Sequence, residues 1–118
     1  MSIENNIVRT LNVSSAHVPW EGFASNINRA QGYGRDKKVF WTKSGQPLTI
    51  YFEESAWRLA VWRDNIEAAV ALASGDQAFA PIATLMRIAA ESNCGYLQID
   101  GDAPTLPEEL GLPLFDWE

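Results

Sequence analysis

The chain has 118 residues, 47% apolar and 20% charged, with fifteen acidic against nine basic side chains and a net charge of −6. That is the size of one globular domain over residues 1–118, able to bury roughly two thirds of its extended-chain surface with no metal or disulfide to help, and the lone Cys94 excludes an intramolecular bridge. No apolar run approaches the ~18 residues of a membrane span, and Met1-Ser2-Ile3-Glu4-Asn5-Asn6 lacks the basic and apolar regions of a signal peptide, so a soluble cytoplasmic protein is expected.

In chain order, Ile7 to Val13 is β-branched and apolar and predicts a first strand. Ser14 or Ser15 then caps a helix carrying Pro19, Trp20, Phe23 and Ile27, which Gly32 and Gly34 end. Val39-Phe40-Trp41-Thr42 and Leu48-Thr49-Ile50-Tyr51-Phe52 flank Lys43-Ser44-Gly45-Gln46-Pro47, a loop of hairpin length with its glycine, and predict two antiparallel strands. Trp57, Leu59 and Val61 alternate as a strand does. Asp64-Asn65-Ile66-Glu67 has capping-box spacing with Asp in place of Ser or Thr, so residues 57–62 are expected to be a third strand of a meander and a helix to run from 65 to near Gly75.

A further helix has Pro81 in its first turn, an apolar face of Ile82, Leu85, Met86 and Ala89, and a stop at Asn93 and Gly95. Tyr96-Leu97-Gln98-Ile99-Asp100 is the last strand. The order β-α-β-β-β-α-α-β predicts an α+β two-layer sandwich, a mainly antiparallel sheet with helices on one face.

Charge is unevenly spread. Five of the nine bases (Arg29, Arg35, Lys37, Lys38, Lys43) fall within residues 29–43, while after Arg87 come Glu91, Asp100, Asp102, Glu108, Glu109, Asp116 and Glu118 and no base. Such an acidic flank repels nucleic acid and attracts a basic protein face, which makes nucleic acid an unexpected primary partner. Gly32-Tyr33-Gly34-Arg35-Asp36-Lys37-Lys38 sets an aromatic beside bases, and Arg35, Lys37 and Lys38 are candidates for a phosphate or anion contact as well as for a plain solvated loop. Of five tryptophans, Trp41 and Trp57 lie in apolar strands and are expected in the core, whereas Trp117 follows a Pro-rich acidic segment that either staples back onto the sheet or engages a partner.

The one histidine, His17, sits where the first strand stops, and Asp100 and Asp102 sit where the last one stops. If those strands are parallel neighbours, His17 comes near Asp100, the minimum for general-base chemistry. Against a catalyst, the chain has no nucleophile elbow, Walker loop, paired-cysteine site or second histidine, and Asp100-Gly101-Asp102 is first of all a turn. The spacing matches no metal-ligand pattern, and no cofactor is expected.

Val13-Ser14-Ser15-Ala16-His17-Val18, Cys94-Gly95-Tyr96-Leu97-Gln98-Ile99-Asp100-Gly101-Asp102-Ala103-Pro104 and Leu112-Pro113-Leu114-Phe115-Asp116-Trp117 together resemble an uncharacterised family of short proteins carried by bacterial plasmids and integrative elements. In that family a strand ends in a Ser-Thr-Ala-His type motif and the chain in a Leu-Pro-x-x-Asp-Trp type tail; Ser15 stands where the pattern has Thr, and residues from Arg29 to Phe79 have no counterpart. The resemblance implies a mobile-element setting and no particular reaction. Proteins of that setting commonly bind other proteins, so the expected role is stoichiometric inhibition of a host defence protein of the restriction or CRISPR kind. The alternatives are an immunity protein or antitoxin that covers a toxin, and a small hydrolase or metal-dependent enzyme using His17 with Asp100 or Asp102. The expected partner is a nuclease, a defence-complex subunit or a toxin, met through Trp117, Asp116, Glu108, Glu109, Asp102 and His17.

Overall fold

A computed structural model describes residues 8–18, 31–32, 37–53 and 56–115. Among the described residues six strands make one sheet: β1 (Thr10–Ser14), β2 (Gln31–Gly32), β3 (Lys37–Trp41), β4 (Pro47–Glu53), β5 (Ala56–Ala60) and β6 (Tyr96–Asp100). Their spatial order is β1-β6-β5-β4-β3-β2. The pairings from β2 to β6 are antiparallel, and β1 pairs parallel to β6 with Ser14 opposite Asp100. Two helices, α1 (Arg63–Gly75) and α2 (Ala80–Glu91), separate β5 from β6, so the protein is α+β with a mainly antiparallel sheet.

The strand sequences dictate which face is covered. Leu97 and Ile99 of β6, Leu59 of β5, Leu48 and Ile50 of β4, Phe40 of β3 and Val13 of β1 are buried on one face. They share a core with Ala68 and Ala69 of α1 and with Ile82, Ala83, Leu85, Met86 and Ala89 of α2. Period-two alternation in the strands meets period-3.6 spacing in α2, and each fully buried Leu, Ile or Met contributes roughly 1.5–3 kcal/mol. Trp57 packs against this core half-buried; for Trp41 only the strand position is described.

The intervening strand residues point to the other face. Register sets Thr10, Tyr96 and Ala60 in one cross-strand row and Asn12, Gln98, Arg58, Tyr51 and Lys37 in the next.

Local chemistry fixes the junctions. In the β3–β4 hairpin Thr42 Oγ1 accepts the Gln46 N–H at 2.9 Å, and Gly45 takes φ +86°, where a side chain would be strained. Gln46 Nε2 then donates to the Asp64 carbonyl at 2.9 Å, tying the hairpin to the start of α1. Between the helices Asp76 caps a short turn by accepting the Ala78 N–H at 3.0 Å.

Three expectations change. Where a helix is expected after Ser14, the chain makes a single 3-10 turn, Ser15–His17; Ser14 Oγ caps it by accepting the Ala16 N–H at 3.1 Å, and Val18 is already extended. The helical pattern over Pro19, Trp20, Phe23 and Ile27 lies outside the described residues. Gly32, expected in the stop after that helix, pairs with Lys38 as part of β2, an added edge strand. Helix α1 begins two residues earlier than the capping-box reading, with Trp62 as N-cap residue and Asp64 inside the first turn. Arg63 and Glu67 form an i,i+4 pair at 3.1 Å, so the Glu67 carboxylate faces along the helix rather than back to the cap.

Candidate functional site

Strand β6 ends in a tight reversal. Asp100 Oδ1 accepts the Asp102 N–H at 2.9 Å and the Asp100 carbonyl accepts the Ala103 N–H at 3.2 Å, the backbone-bonding use of Asp that the Asp-Gly-Asp run predicts. The reversal sends residues 104–115 back across the end of β1, where the turn after Ser14 receives them.

Four hydrogen bonds join this tail to the turn. The Ser14 N–H donates to the Pro104 carbonyl at 3.1 Å, and the Phe115 N–H donates to the Ala16 carbonyl at 2.7 Å. Between them stands His17, 3% exposed. Its Nε2 accepts the Leu106 N–H at 2.9 Å, and its Nδ1 lies 3.3 Å from the Pro113 carbonyl. An amide N–H can only donate and a carbonyl can only accept, so the two partners select the neutral Nδ1–H tautomer. The imidazole also borders an apolar hollow of about 210 Å³ with Pro81 and Leu85 of α2 and Leu112 of the tail. Leu106 and Leu112 pack against the main core from the tail side.

β1 and β6 are parallel neighbours, so His17 and Asp100 do share one end of the sheet. Their functional atoms are engaged apart: both ring nitrogens are on tail backbone, and the Asp100 carboxylate is on its own turn. A general base needs a lone pair aimed at a proton to be abstracted, and the lone pair of this imidazole is on Leu106. Ser14 Oγ likewise serves the turn. Among the described residues no three His, Cys, Asp or Glu side chains are grouped to hold a metal ion.

What the clasp builds is a shaped edge. Glu108 and Glu109 lie in a short 3-10 turn, Glu108–Leu110, which Gly111 closes at φ +66°, and both carboxylates are exposed, as is Asp102. Beside them Leu110 is 50% and Leu114 64% exposed. Asp116 and Trp117 lie outside the described residues, and so does Arg35; Lys37 and Lys38 stand in β3. The two leucines escape a reading by composition because an isolated Leu in a Pro-rich stretch looks like core filling. The signal for them is the pattern Leu110-Gly111-Leu112-Pro113-Leu114, in which alternate leucines fall outward around an inward Leu112.

The fold and this edge define a small α+β domain with a clasped acidic tail. A scan against models of protein families and searches of characterised proteins and of solved structures find no match to the chain. Among the described residues no helix is long and apolar enough to cross a membrane.

Proposed function

We propose that the protein is a stoichiometric protein-binding module, and that its working surface is the clasped tail edge. The observation that carries this is the combination of exposed Leu110 and Leu114 with the exposed carboxylates of Asp102, Glu108 and Glu109 on a segment pinned at four points to the 14–18 turn. A free peptide of this composition loses backbone entropy on docking; a segment already held in shape loses far less, which raises affinity with no added contact. The carboxylates steer toward a basic face, and the leucines supply apolar area to be desolvated once there.

The basic faces most available to such a surface belong to nucleic-acid enzymes. Together with the resemblance of the chain's ends to mobile-element proteins, this makes inhibition of a host defence nuclease or defence-complex subunit the reading we adopt. The His17 hydrogen bonds support a structural role for the imidazole and weigh against the hydrolase reading.

Affinity capture from host lysate with the parent chain, Leu110→Ser/Leu114→Ser and Glu108→Gln/Glu109→Gln tests the reading. The expected result is one stoichiometric protein that the leucine variant no longer retains and that the glutamine variant retains only at reduced salt. A partner held equally by all three chains, or a folded His17→Ala variant that binds normally yet loses a hydrolytic activity of the parent, would overturn it.

A further inference from the structure

A second set of side chains serves neither the tail nor the apolar core. On the sheet face turned away from the main core, Tyr51, Arg58 and Tyr96, with Thr49 beside them, line an open hollow of about 390 Å³ together with Trp62 and Asn65 at the start of α1. Trp62 is 65% and Tyr51 42% exposed. Ala60, paired with Tyr96 across the strands, adds only a methyl group to the lining.

The charged member is held in place. The Arg58 guanidinium carbon lies 4.4 Å from the centroid of the Tyr96 ring, and its Nη2 donates to Thr10 Oγ1 at 3.3 Å. Cation–π contact keeps the positive charge beside the ring. Arg58 carries the only formal charge among the described lining residues. Across the strands Tyr51 pairs with Arg58 on one side and with Lys37 on the other, so an aromatic position stands between two basic ones.

We propose that this hollow binds a mononucleotide, with the base stacked on Trp62 and Tyr51 and the phosphate turned toward Arg58. The volume falls within the several-hundred Å³ range of small-ligand sites. Exposed rings at the wall offer flat apolar faces, which a planar heterocycle covers without needing base-specific hydrogen bonds. Among the described residues the one charge of the lining, on Arg58, is positive and suits an anion, yet the chain as a whole carries −6. A long polyanion meets that net charge along its length, whereas a single phosphate meets the local field of the hollow. The proposal is independent of the tail-edge reading, since the two surfaces share no residue.

The test is an NMR titration of the full chain at low salt with AMP and UMP, and in parallel with adenosine, inorganic phosphate and a short oligothymidylate. The Trp62 indole N–H is assigned by its loss in Trp62→Ala. With either nucleotide, that indole signal and the amides around Tyr51, Arg58 and Tyr96 are expected to move together. Trp62→Ala is expected to weaken AMP and adenosine alike by about tenfold or more, the loss of one stacking partner. Arg58→Gln is expected to weaken AMP by about tenfold while leaving adenosine unchanged, the loss of one charge-assisted contact. Since Arg58 also packs on Tyr96, Arg58→Lys separates charge from packing: it restores AMP binding if charge is what matters. Nucleotides that move no signal of the hollow overturn the proposal. So does inorganic phosphate alone producing the same shifts at the same concentrations, and so does an oligonucleotide that binds where AMP and UMP do not.

Discussion

Replacing His17 with alanine severs the middle of the clasp. Two hydrogen bonds go, Leu106 N–H to Nε2 and Nδ1–H to the Pro113 carbonyl, each worth about 1 kcal/mol net. The Leu106 N–H and the Pro113 carbonyl lose their partner, and the imidazole is withdrawn from beside Pro81, Leu85 and Leu112, which together add about 1–2 kcal/mol. The total is about 3 kcal/mol. With an unfolding entropy of about 2 cal/mol/K per residue, that lowers Tm by ~12 °C. His17→Gln supplies an amide oxygen in the region of Nε2 and is expected to retain the Leu106 bond, halving the loss to about 1.5 kcal/mol. Thermal unfolding gives the global effect. Amide exchange gives the local one: the Leu106 and Phe115 amides are expected to exchange about a hundredfold faster in His17→Ala, with Leu97 and Ile99 slower than either. A His17→Ala protein that melts within about 2 °C of the parent, with the Leu106 amide still protected, would refute the clasp reasoning.

Further expectations concern the elements that shape the site. Gly111→Ala places a Cβ at φ +66° with open space around it, so backbone strain alone acts, and a loss of about 1 kcal/mol is expected by chemical denaturation. Leu85→Ala, at a side chain 1% exposed between α2 and the sheet, is expected to cost about 2–5 kcal/mol, read from the denaturation midpoint at unchanged slope. Asp100→Ala removes the acceptor of the Asp102 N–H and is expected to lower stability by about 1 kcal/mol, while Asp100→Asn, which keeps an oxygen there, costs only a few tenths. Were Asp100→Asn as damaging as Asp100→Ala, the carboxylate's charge rather than its turn geometry would be at work.

The strands and the two long helices were legible because each carries its own period. Trp57 and Leu59 alternate inward whether or not β4 is present to pair with, and Ile82, Leu85, Met86 and Ala89 mark one face of a helix in isolation. The start of α1 was less so: Asp64 competes for the cap on spacing alone, and it loses because Asn65 Nδ2 reaches back to the Ala60 carbonyl at 2.9 Å, which draws the first turn closer to β5. The clasp was half legible. His17 and the Asp-Gly-Asp turn announce themselves by residue type, but the partners of His17 are the N–H of Leu106 and the carbonyl of Pro113, backbone groups that every residue or nearly every residue possesses. The hollow around Trp62 was missed for a different reason, since Tyr51, Arg58 and Tyr96 come from three separate strands and only the register brings them together.

Parallel pairing of β1 with β6 also orders events in time. Thr10 pairs with Tyr96 and Ser14 with Asp100, and β1 borders no other described strand of the sheet. During synthesis the hairpin of β3 and β4 can close as soon as it emerges, and β5 can add to it, but β1 must wait for almost the whole chain. Loop closure over that distance is entropically costly and slow compared with hairpin formation. Until then Val13, which ends up fully buried, remains open to water and to other chains. Arrival of β6 and its tail therefore both completes the sheet and seals its first strand, and ribosome-bound chains halted before Tyr96 are expected to be the species that chaperones hold.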